Sequence, residues 1–275
     1  MDLRSLVIPP TQDQRPDWPA NRRVWPRLVL WGASQILLFL VLFQAYKMIR
    51  RMYIPRAESV AFDNALQILR IQDRLNSNFE LSWQGWVLSR GDLIMAFNHY
   101  YAHYMYMFYA CAMLLLVLSS ARFLYLRRAF FLTMLLALPW YAIYPLAPPR
   151  FMQGFGWDFV DTLTVYGPNY FSETGLVAAN RYAAMPSMHI GWTTIAALMI
   201  AVALPWRKVG IAVATFMVLS MTVTVIVTGN HYWLDIIGGW LIVAAALTIN
   251  RALPFPLEIA WPWKRGQPQA VKQAQ

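Results

Sequence analysis

The sequence predicts an all-α fold, a polytopic membrane helix bundle with about six transmembrane helices and an interfacial helix. Apolar residues make up 59% of the 275-residue chain, only 13% of it is charged, and the mean hydropathy is +0.40. Soluble domains are about one quarter charged, so the bilayer is the expected solvent for most of this chain. Six apolar runs of membrane length set the number of helices.

The six predicted spans are separated by short polar or aromatic segments. They cover residues 28–46, 93–119, 129–147, 188–204, 209–228 and 232–249. No repeat divides them, so residues 28–251 are expected to form one membrane domain between a polar N-terminal tail (1–27) and a C-terminal tail (252–275). The N-terminal tail lacks the pattern of a cleavable signal peptide.

Residues 59–76, between the first two spans, have the pattern of an amphipathic helix. The apolar residues recur at helical spacing: Phe62, Ala65, Leu66 and Leu69. This pattern predicts a helix that lies in the membrane interface. A cap packed over the bundle fits the same residues, and the pattern does not separate the two interpretations.

The distribution of Lys and Arg sets the predicted orientation. With the N-terminus inside, 14 of the 23 basic residues fall in inside segments, as expected for cytoplasmic loops. Lys47, Arg50 and Arg51, directly after the first span, oppose this bias. The orientation predicts an integral protein of the plasma membrane whose loops before spans four and six face the extracytoplasmic side.

The formal net charge of +10 raises the question of a nucleic-acid partner. The basic residues flank apolar segments, so membrane topology and anionic lipid headgroups account for the charge. We therefore expect membrane lipids as partners and no nucleic acid. The oligomeric state is not readable from the sequence.

Two histidines stand at the heads of apolar runs. His189 opens span four within AAMPSMHIGW, after a loop of about forty residues, and His231 precedes span six within GNHYWLD. In a six-span protein the loops before spans four and six lie on the same face. Ionisable residues at membrane spans are rare and mark function, and long loops often do so too.

His231 and Asp235 are four residues apart, which places them on one face of a helix. A carboxylate there holds one imidazole nitrogen as a donor and leaves the other as a nucleophile or base. A helix-start histidine with Asp235 favoured by the helix dipole fits the pair equally well. His189 favours function, because a second histidine on the same face suits a general acid.

A phosphate-binding site is predicted around the same helix heads. Ser187 and the backbone amides of residues 186–189 stand at a helix N-terminus, where anions bind. Arg150, after two prolines, and Arg181 supply permanent cations whose planar fork fits phosphate oxygens. Together with the histidines and the carboxylate, this set predicts phosphoryl transfer through a phosphohistidine. The scheme requires no metal and no cofactor.

Three stretches resemble a known family. YPLAPPR, AAMPSMHIGW and GNHYWLD are similar, in order and spacing, to the three signature blocks of the type 2 phosphatidic acid phosphatase superfamily. The resemblance implies a lipid phosphate phosphatase or phosphotransferase. It also implies that His231 is the nucleophile, that Asp235 is its carboxylate partner, and that His189 protonates the leaving group.

The departures from the superfamily pattern point to one branch. The first block lacks its usual lysine, Thr224 and Val225 stand where serine and arginine are usual, and Met188 replaces a glycine. These features resemble the inositol phosphorylceramide synthase branch. A phosphohistidine opened by water gives a phosphatase, and one opened by an alcohol such as inositol gives a transferase, so the acceptor stays open.

Two other functions compete with this one. A transporter with a histidine proton relay needs charges deep in the spans, whereas here they stand at helix heads. A catalytically inactive relative that binds lipid or a partner protein is opposed by the intact set of His189, His231 and Asp235, but the missing lysine and arginine leave it open. His99 and His103 share a face of span two, and we expect them to hydrogen-bond across helices rather than bind a metal.

Overall fold

A computed structural model describes residues 25–52, 58–168 and 180–254, and they form an α-helical bundle. These residues contain no β-strand, only an isolated bridge between Leu146 and Ala183, so the all-α prediction is confirmed. Nearly all of the two predicted tails lies outside the described residues. The helices are α1 (Trp25–Met52), α2 (Glu58–Arg74), α3 (Glu80–Leu88), α4 (Gly91–Leu118), α5 (Ser120–Ile143), α6 (Thr162–Tyr166), α7 (Met188–Ala203), α8 (Arg207–Val227) and α9 (Trp233–Ala252).

Five of these helices are long and apolar enough to cross a membrane: α1 over Val29–Arg50, α4, α5, α8 and α9. Large apolar side chains stay exposed on their outer faces, among them Leu37, Phe216 and Leu241, each more than 60% exposed. A soluble protein rarely exposes such continuous apolar surface. The chain is therefore an integral membrane protein.

The fourth predicted span is an apolar helix of only 16 residues, α7. It begins after Ser187, whose side chain caps it, and it ends at Ala203. Pro205 follows closely, and the residue before a proline is disfavoured in helical geometry. This helix is shorter than a typical span of about 20 residues.

The third span differs most from its prediction of 129–147. α5 begins nine residues earlier, because the arginines near its start do not end the helix. Arg122 donates to the carbonyl oxygen of Val202 at 2.7 Å, and Arg128 donates to the side-chain oxygen of Asn250 at 2.5 Å. The charged groups thus find acceptors on neighbouring helices while the backbone stays helical.

α7 lies at the centre of the bundle and packs against α4, α5, α8 and α9. Aromatic rings fill the core around it. Phe130 packs against Trp192 with ring centroids 5.4 Å apart and against Phe108 at 4.5 Å. Such contacts hold the start of α7 firmly against its neighbours.

α2 and α3 cover one end of the bundle. α2 buries Ala61, Ala65 and Leu69 in a cluster that also contains Leu146 and Tyr232. This packing favours the cap interpretation of residues 59–76, since the buried face lies over loops of the protein itself. The covered end is called the site end below.

The long loop before α7 is fixed to the bundle by buried amide side chains. Asn98 of α4 donates to the carbonyl oxygens of Thr162 at 2.8 Å and Gly167 at 2.9 Å. Gln84 of α3 accepts from the backbone N–H of Val160 at 2.8 Å. The described part of the loop also forms two 3₁₀ turns, at Pro149–Phe151 and Gln153–Phe155.

The prediction that His99 and His103 hydrogen-bond across helices is wrong for His103. Both side chains are exposed on α4. His103 Nδ1 lies 2.8 Å from the carbonyl oxygen of His99, so its contact is with its own helix. An intrahelical acceptor one turn away satisfies the ring without a neighbouring helix.

Candidate active site

His231 and Asp235 form a hydrogen-bonded pair at the start of α9. His231 Nδ1 lies 3.3 Å from Asp235 Oδ2, which also accepts from the backbone N–H of Tyr232 at 3.0 Å. Asp235 is completely buried, and His231 is 4% exposed. Because the carboxylate accepts, we assign the proton to Nδ1, which leaves a lone pair on Nε2.

His189, in the first turn of α7, faces the same point. Its ring lies between two tyrosines of α4, with centroids 4.1 Å from Tyr101 and 4.3 Å from Tyr104. The ring centroids of His189 and His231 are 5.7 Å apart. The structure therefore brings the two helix-head histidines together, as their loops predict.

The heads of α7 and α9 are joined directly through backbone atoms. The N–H of Ser187 donates to the carbonyl oxygen of Asp235 at 3.0 Å. A Cβ on Gly239 would lie 2.5 Å from the carbonyl oxygen of Ser187, so only glycine permits this approach. The separation of His189 and His231 is thus set by a direct backbone contact.

Arg150 is held beside His231 by the turn that precedes α9. Its backbone N–H donates to the carbonyl oxygen of Gly229 at 2.8 Å, and its Nη1 donates to the side-chain oxygen of Asn230. Its Nε lies 3.8 Å from a carboxylate oxygen of Asp161. Burial lowers the pKa of Arg150, but a guanidinium stays charged at neutral pH.

The two other predicted phosphate ligands are placed differently. Arg181 is exposed and lies at the rim of the site. Ser187 is completely buried, and its hydroxyl lies 3.5 Å from the backbone N–H of Ile190, which it caps. The structure does not bring this hydroxyl into the site, because the N-cap position turns it back toward its own helix.

A cavity of about 200 Å³ connects these groups. This volume suits a phosphate-bearing headgroup and is too small for a whole lipid. No acidic side chain is present among the described residues that line it. Its polar lining includes Lys47, Arg50, Arg150, Asn180, Arg181, His189, Asn230 and His231, together with the tyrosines Tyr46, Tyr101, Tyr104 and Tyr141.

A family model described as the PAP2 superfamily matches residues 66–249, about two thirds of the chain. The match includes His189, His231, Asp235 and the loop that carries Arg150. The chain belongs to the PAP2 superfamily. Neither a curated protein nor a solved structure gave a significant match.

Membership of the PAP2 superfamily agrees with the three stretches that predicted it. It indicates phosphatase or phosphotransferase activity on phosphate esters. The cavity described above lies within this PAP2 region except for one wall. That wall is the end of α1, which precedes the matched residues.

Lys47 and Arg50 of α1 are site residues that the sequence analysis missed. Their position after the first span was interpreted as evidence on membrane orientation, whereas in the structure both line the cavity. Their spacing relative to Phe43 and Tyr46 does place all four on one helical face. The sequence gives no sign that this face meets the PAP2 region.

Proposed function

We propose that this PAP2 protein is an integral membrane phosphoryl-transfer enzyme that acts on lipid phosphates through a phosphohistidine intermediate. One observation carries the proposal. A buried histidine, His231, has Nδ1 bonded to a buried carboxylate and faces a second histidine, His189, across a cation-lined cavity.

The first chemical step forms a bond between Nε2 of His231 and the phosphorus of the substrate. The P–O bond to the lipid alcohol breaks, and His189 in its protonated form gives its proton to the departing oxygen. Asp235 keeps the Nδ1–H of His231 in place and stabilises the positive charge that the ring acquires.

The second step releases the phosphoryl group from His231. Water or an alcohol attacks phosphorus, the neutral His189 takes the proton from the attacking oxygen, and the N–P bond breaks. With a phosphomonoester substrate, water gives free phosphate and an alcohol such as inositol gives its phosphate monoester. With a phosphodiester substrate such as phosphatidylinositol, the group on His231 keeps its inositol, and a second alcohol gives a new phosphodiester. The resemblance of the three stretches to the inositol phosphorylceramide synthase branch supports the transferase outcome, and both outcomes belong to the proposal.

The cations of the cavity supply the charge that the transferred group needs. Arg150 is oriented by Asn230 directly next to His231, and Arg181 lies at the rim. Fixed cations that meet developing negative charge in a buried site lower the barrier to phosphoryl transfer. No step in this scheme requires a metal ion.

The cavity supports a lipid substrate through its position. It lies at the site end, where apolar helices that can cross a membrane terminate, so a headgroup can enter while acyl chains stay in the bilayer. The distribution of Lys and Arg supports a plasma-membrane protein whose site faces the extracytoplasmic side.

The test uses purified full-length protein in detergent with EDTA. The substrates are phosphatidic acid, a polyprenyl diphosphate, and phosphatidylinositol with a ceramide-like acceptor, and mass spectrometry follows free phosphate and new phospholipids. Wild type, His231→Ala and His103→Ala are compared, because His103 is an exposed histidine that does not line the cavity. We expect turnover of at least one substrate by wild type and His103→Ala, and loss of it in His231→Ala.

Three results would contradict the proposal. Turnover that persists unchanged in His231→Ala removes the phosphohistidine mechanism. Lipid binding without turnover in any variant supports the inactive relative, and substrate uptake into liposomes that needs His189 but releases no phosphate supports a transporter.

A further inference from the structure

The end of α1 forms one wall of the cavity, although α1 lies outside the region that matches the PAP2 superfamily. Four side chains of α1 line the cavity, and they stand on one helical face: Phe43, Tyr46, Lys47 and Arg50. Two of the four, Lys47 and Arg50, are the only charged residues of the span Val29–Arg50. Cations in such a place are costly unless they face a polar partner.

Arg50 contacts α5 and the end of the loop that precedes α7. Its guanidinium lies 4.9 Å above the ring of Tyr141, and its Nη2 is 3.5 Å from the carbonyl oxygens of Asn180 and Ala183. The side chain of Asn180 donates in return to the carbonyl oxygen of Arg50 at 3.1 Å. The guanidinium is therefore fixed in direction by a ring and two carbonyls.

The donors of Arg50 are only partly used by these contacts. Both carbonyl distances are at the long limit of a hydrogen bond, and both use the same nitrogen. Its buried Nε has no hydrogen-bond partner among the described residues. A guanidinium carries five N–H donors, so Arg50 keeps donors for an oxyanion.

Arg150 and Arg50, two arginines that line the cavity, differ in their acidic neighbours. Arg150 forms an ion pair with Asp161. Within the described part of the chain, Arg50 contacts carbonyl oxygens and an aromatic ring and forms no ion pair with a carboxylate. A half-buried cation without a carboxylate favours an anionic ligand, because burying an uncompensated charge is costly.

We propose that Arg50 is a phosphate-binding residue of this site, which donates to the non-bridging phosphoryl oxygens together with Arg150. The inference rests on the proposed function, since it takes the ligand to be a phosphate. Thr224 and Val225 stand where the third block usually has serine and arginine, so the block lacks its usual cation. The inference assigns to Arg50 of α1 a cation of the anion site.

The first experiment measures phosphate affinity from the rise in unfolding temperature of the full-length protein in detergent. Inorganic phosphate and a short-chain phosphatidic acid are titrated separately, which distinguishes a free phosphate from a lipid headgroup. Arg50→Gln keeps a donor for the carbonyls but removes the charge, Arg50→Lys restores a charge, and Arg90→Gln is the matched control, exposed in the turn between α3 and α4.

We expect Arg50→Gln to weaken binding of both ligands by at least about tenfold, Arg50→Lys to recover part of it, and Arg90→Gln to bind like wild type. The unfolding temperature without ligand stays near that of wild type in all three. Equal affinity in Arg50→Gln and wild type, or no binding of either ligand to wild type, overturns the inference. Equal losses in Arg50→Lys and Arg50→Gln, with lowered ligand-free stability, would assign Arg50 a structural role instead.

A second measurement needs no variant. Phenylglyoxal modifies arginine side chains, and mass spectrometry follows the rate at each arginine of the wild-type protein. We expect inorganic phosphate to slow modification at Arg50 and not at exposed Arg90, and equal rates at Arg50 with and without phosphate contradict the inference. If phosphate binding depends on Arg50 but no lipid is turned over, only the proposed function is contradicted. If turnover depends on His231 but phosphate binding does not depend on Arg50, only this inference is contradicted.

Discussion

The rings of His189 and His231 face each other with centroids 5.7 Å apart, although the two residues are 42 positions apart in the chain. Two features set this separation: the backbone bond from Ser187 to Asp235 and the close approach of Gly239 to Ser187. The arrangement gives each histidine a different environment. His231 has a carboxylate partner, and His189 has the faces of two tyrosines.

Replacement of Asp235 by asparagine is expected to lower kcat on the order of 10³-fold while KM changes little. The amide can donate to Nδ1 of His231 and thereby favour the tautomer with its proton on Nε2. Steady-state kinetics on the preferred lipid measures the effect. Asp92→Asn, an exposed site at the start of α4, is the control, and an unchanged kcat in Asp235→Asn would contradict the assigned role.

The effect of removing His189 on the cleavage rate is expected to depend on the leaving group. His189→Ala should slow cleavage of an alkyl phosphate by about 10²–10⁴-fold, because the departing alkoxide then lacks its proton. A nitrophenyl phosphate should be affected much less, since nitrophenolate leaves without protonation. Equal losses for the two esters would show that His189 is not the acid.

The parts of the site were not equally predictable from the sequence. His189, His231 and Asp235 were accessible from the sequence, because helix-head positions and a four-residue spacing are local patterns. Arg50 was not, since its contacts are with residues 130 and 133 positions away. The position of the Ser187 hydroxyl was not predictable either, because capping and ligand binding favour the same residue at a helix start.

The same contrast holds for the fold. Apolar run length predicted the helices, but it placed the start of α5 nine residues too late, since Arg122 and Arg128 are satisfied by acceptors on other helices. The amphipathic pattern of α2 predicted a helix but did not determine whether its apolar face packs on the membrane interface or on the bundle. The packing of Ala61, Ala65 and Leu69 is tertiary information that no local pattern contains.

Gly229→Ala is expected to destabilise the protein by about 1–3 kcal/mol. Gly229 has a φ of +66°, and an added Cβ would lie 2.7 Å from Gln84 Nε2 and 3.3 Å from the carbonyl oxygen of Val160. Thermal unfolding in detergent measures the loss. Gly154→Ala has no heavy atom within 4 Å of its Cβ and should unfold like wild type, and equal behaviour of the two variants would refute the argument.

Glu80 is expected to make stability depend on pH. This buried carboxylate accepts from the backbone N–H of Trp233 at 3.1 Å and from the side chain of Gln72. Burial raises its pKa above the ordinary 4.5, and the nearby Asp235 adds to the rise. The folded protein therefore holds this proton more tightly than the unfolded chain does. The stabilising contribution is complete below about pH 4.5 and is lost as the pH rises through the raised pKa.

The measurement for Glu80 compares Glu80→Gln with wild type. Glutamine keeps the acceptor and removes the titration. The unfolding temperature of Glu80→Gln relative to that of wild type should therefore rise between about pH 4 and pH 7. Glu58→Gln, which removes an exposed carboxylate of α2, is the control. A difference between Glu80→Gln and wild type that stays constant over this range would exclude the effect.

The phosphohistidine itself is the central claim, and trapping it is the most direct test. Wild-type protein is mixed with a ³²P-labelled lipid phosphate, quenched in alkali within milliseconds, digested and sequenced by mass spectrometry. The account predicts label on the peptide that contains His231, stable to base and released by acid, and none in His231→Ala. Full turnover with label on another residue, or undiminished turnover in His231→Ala, would contradict it.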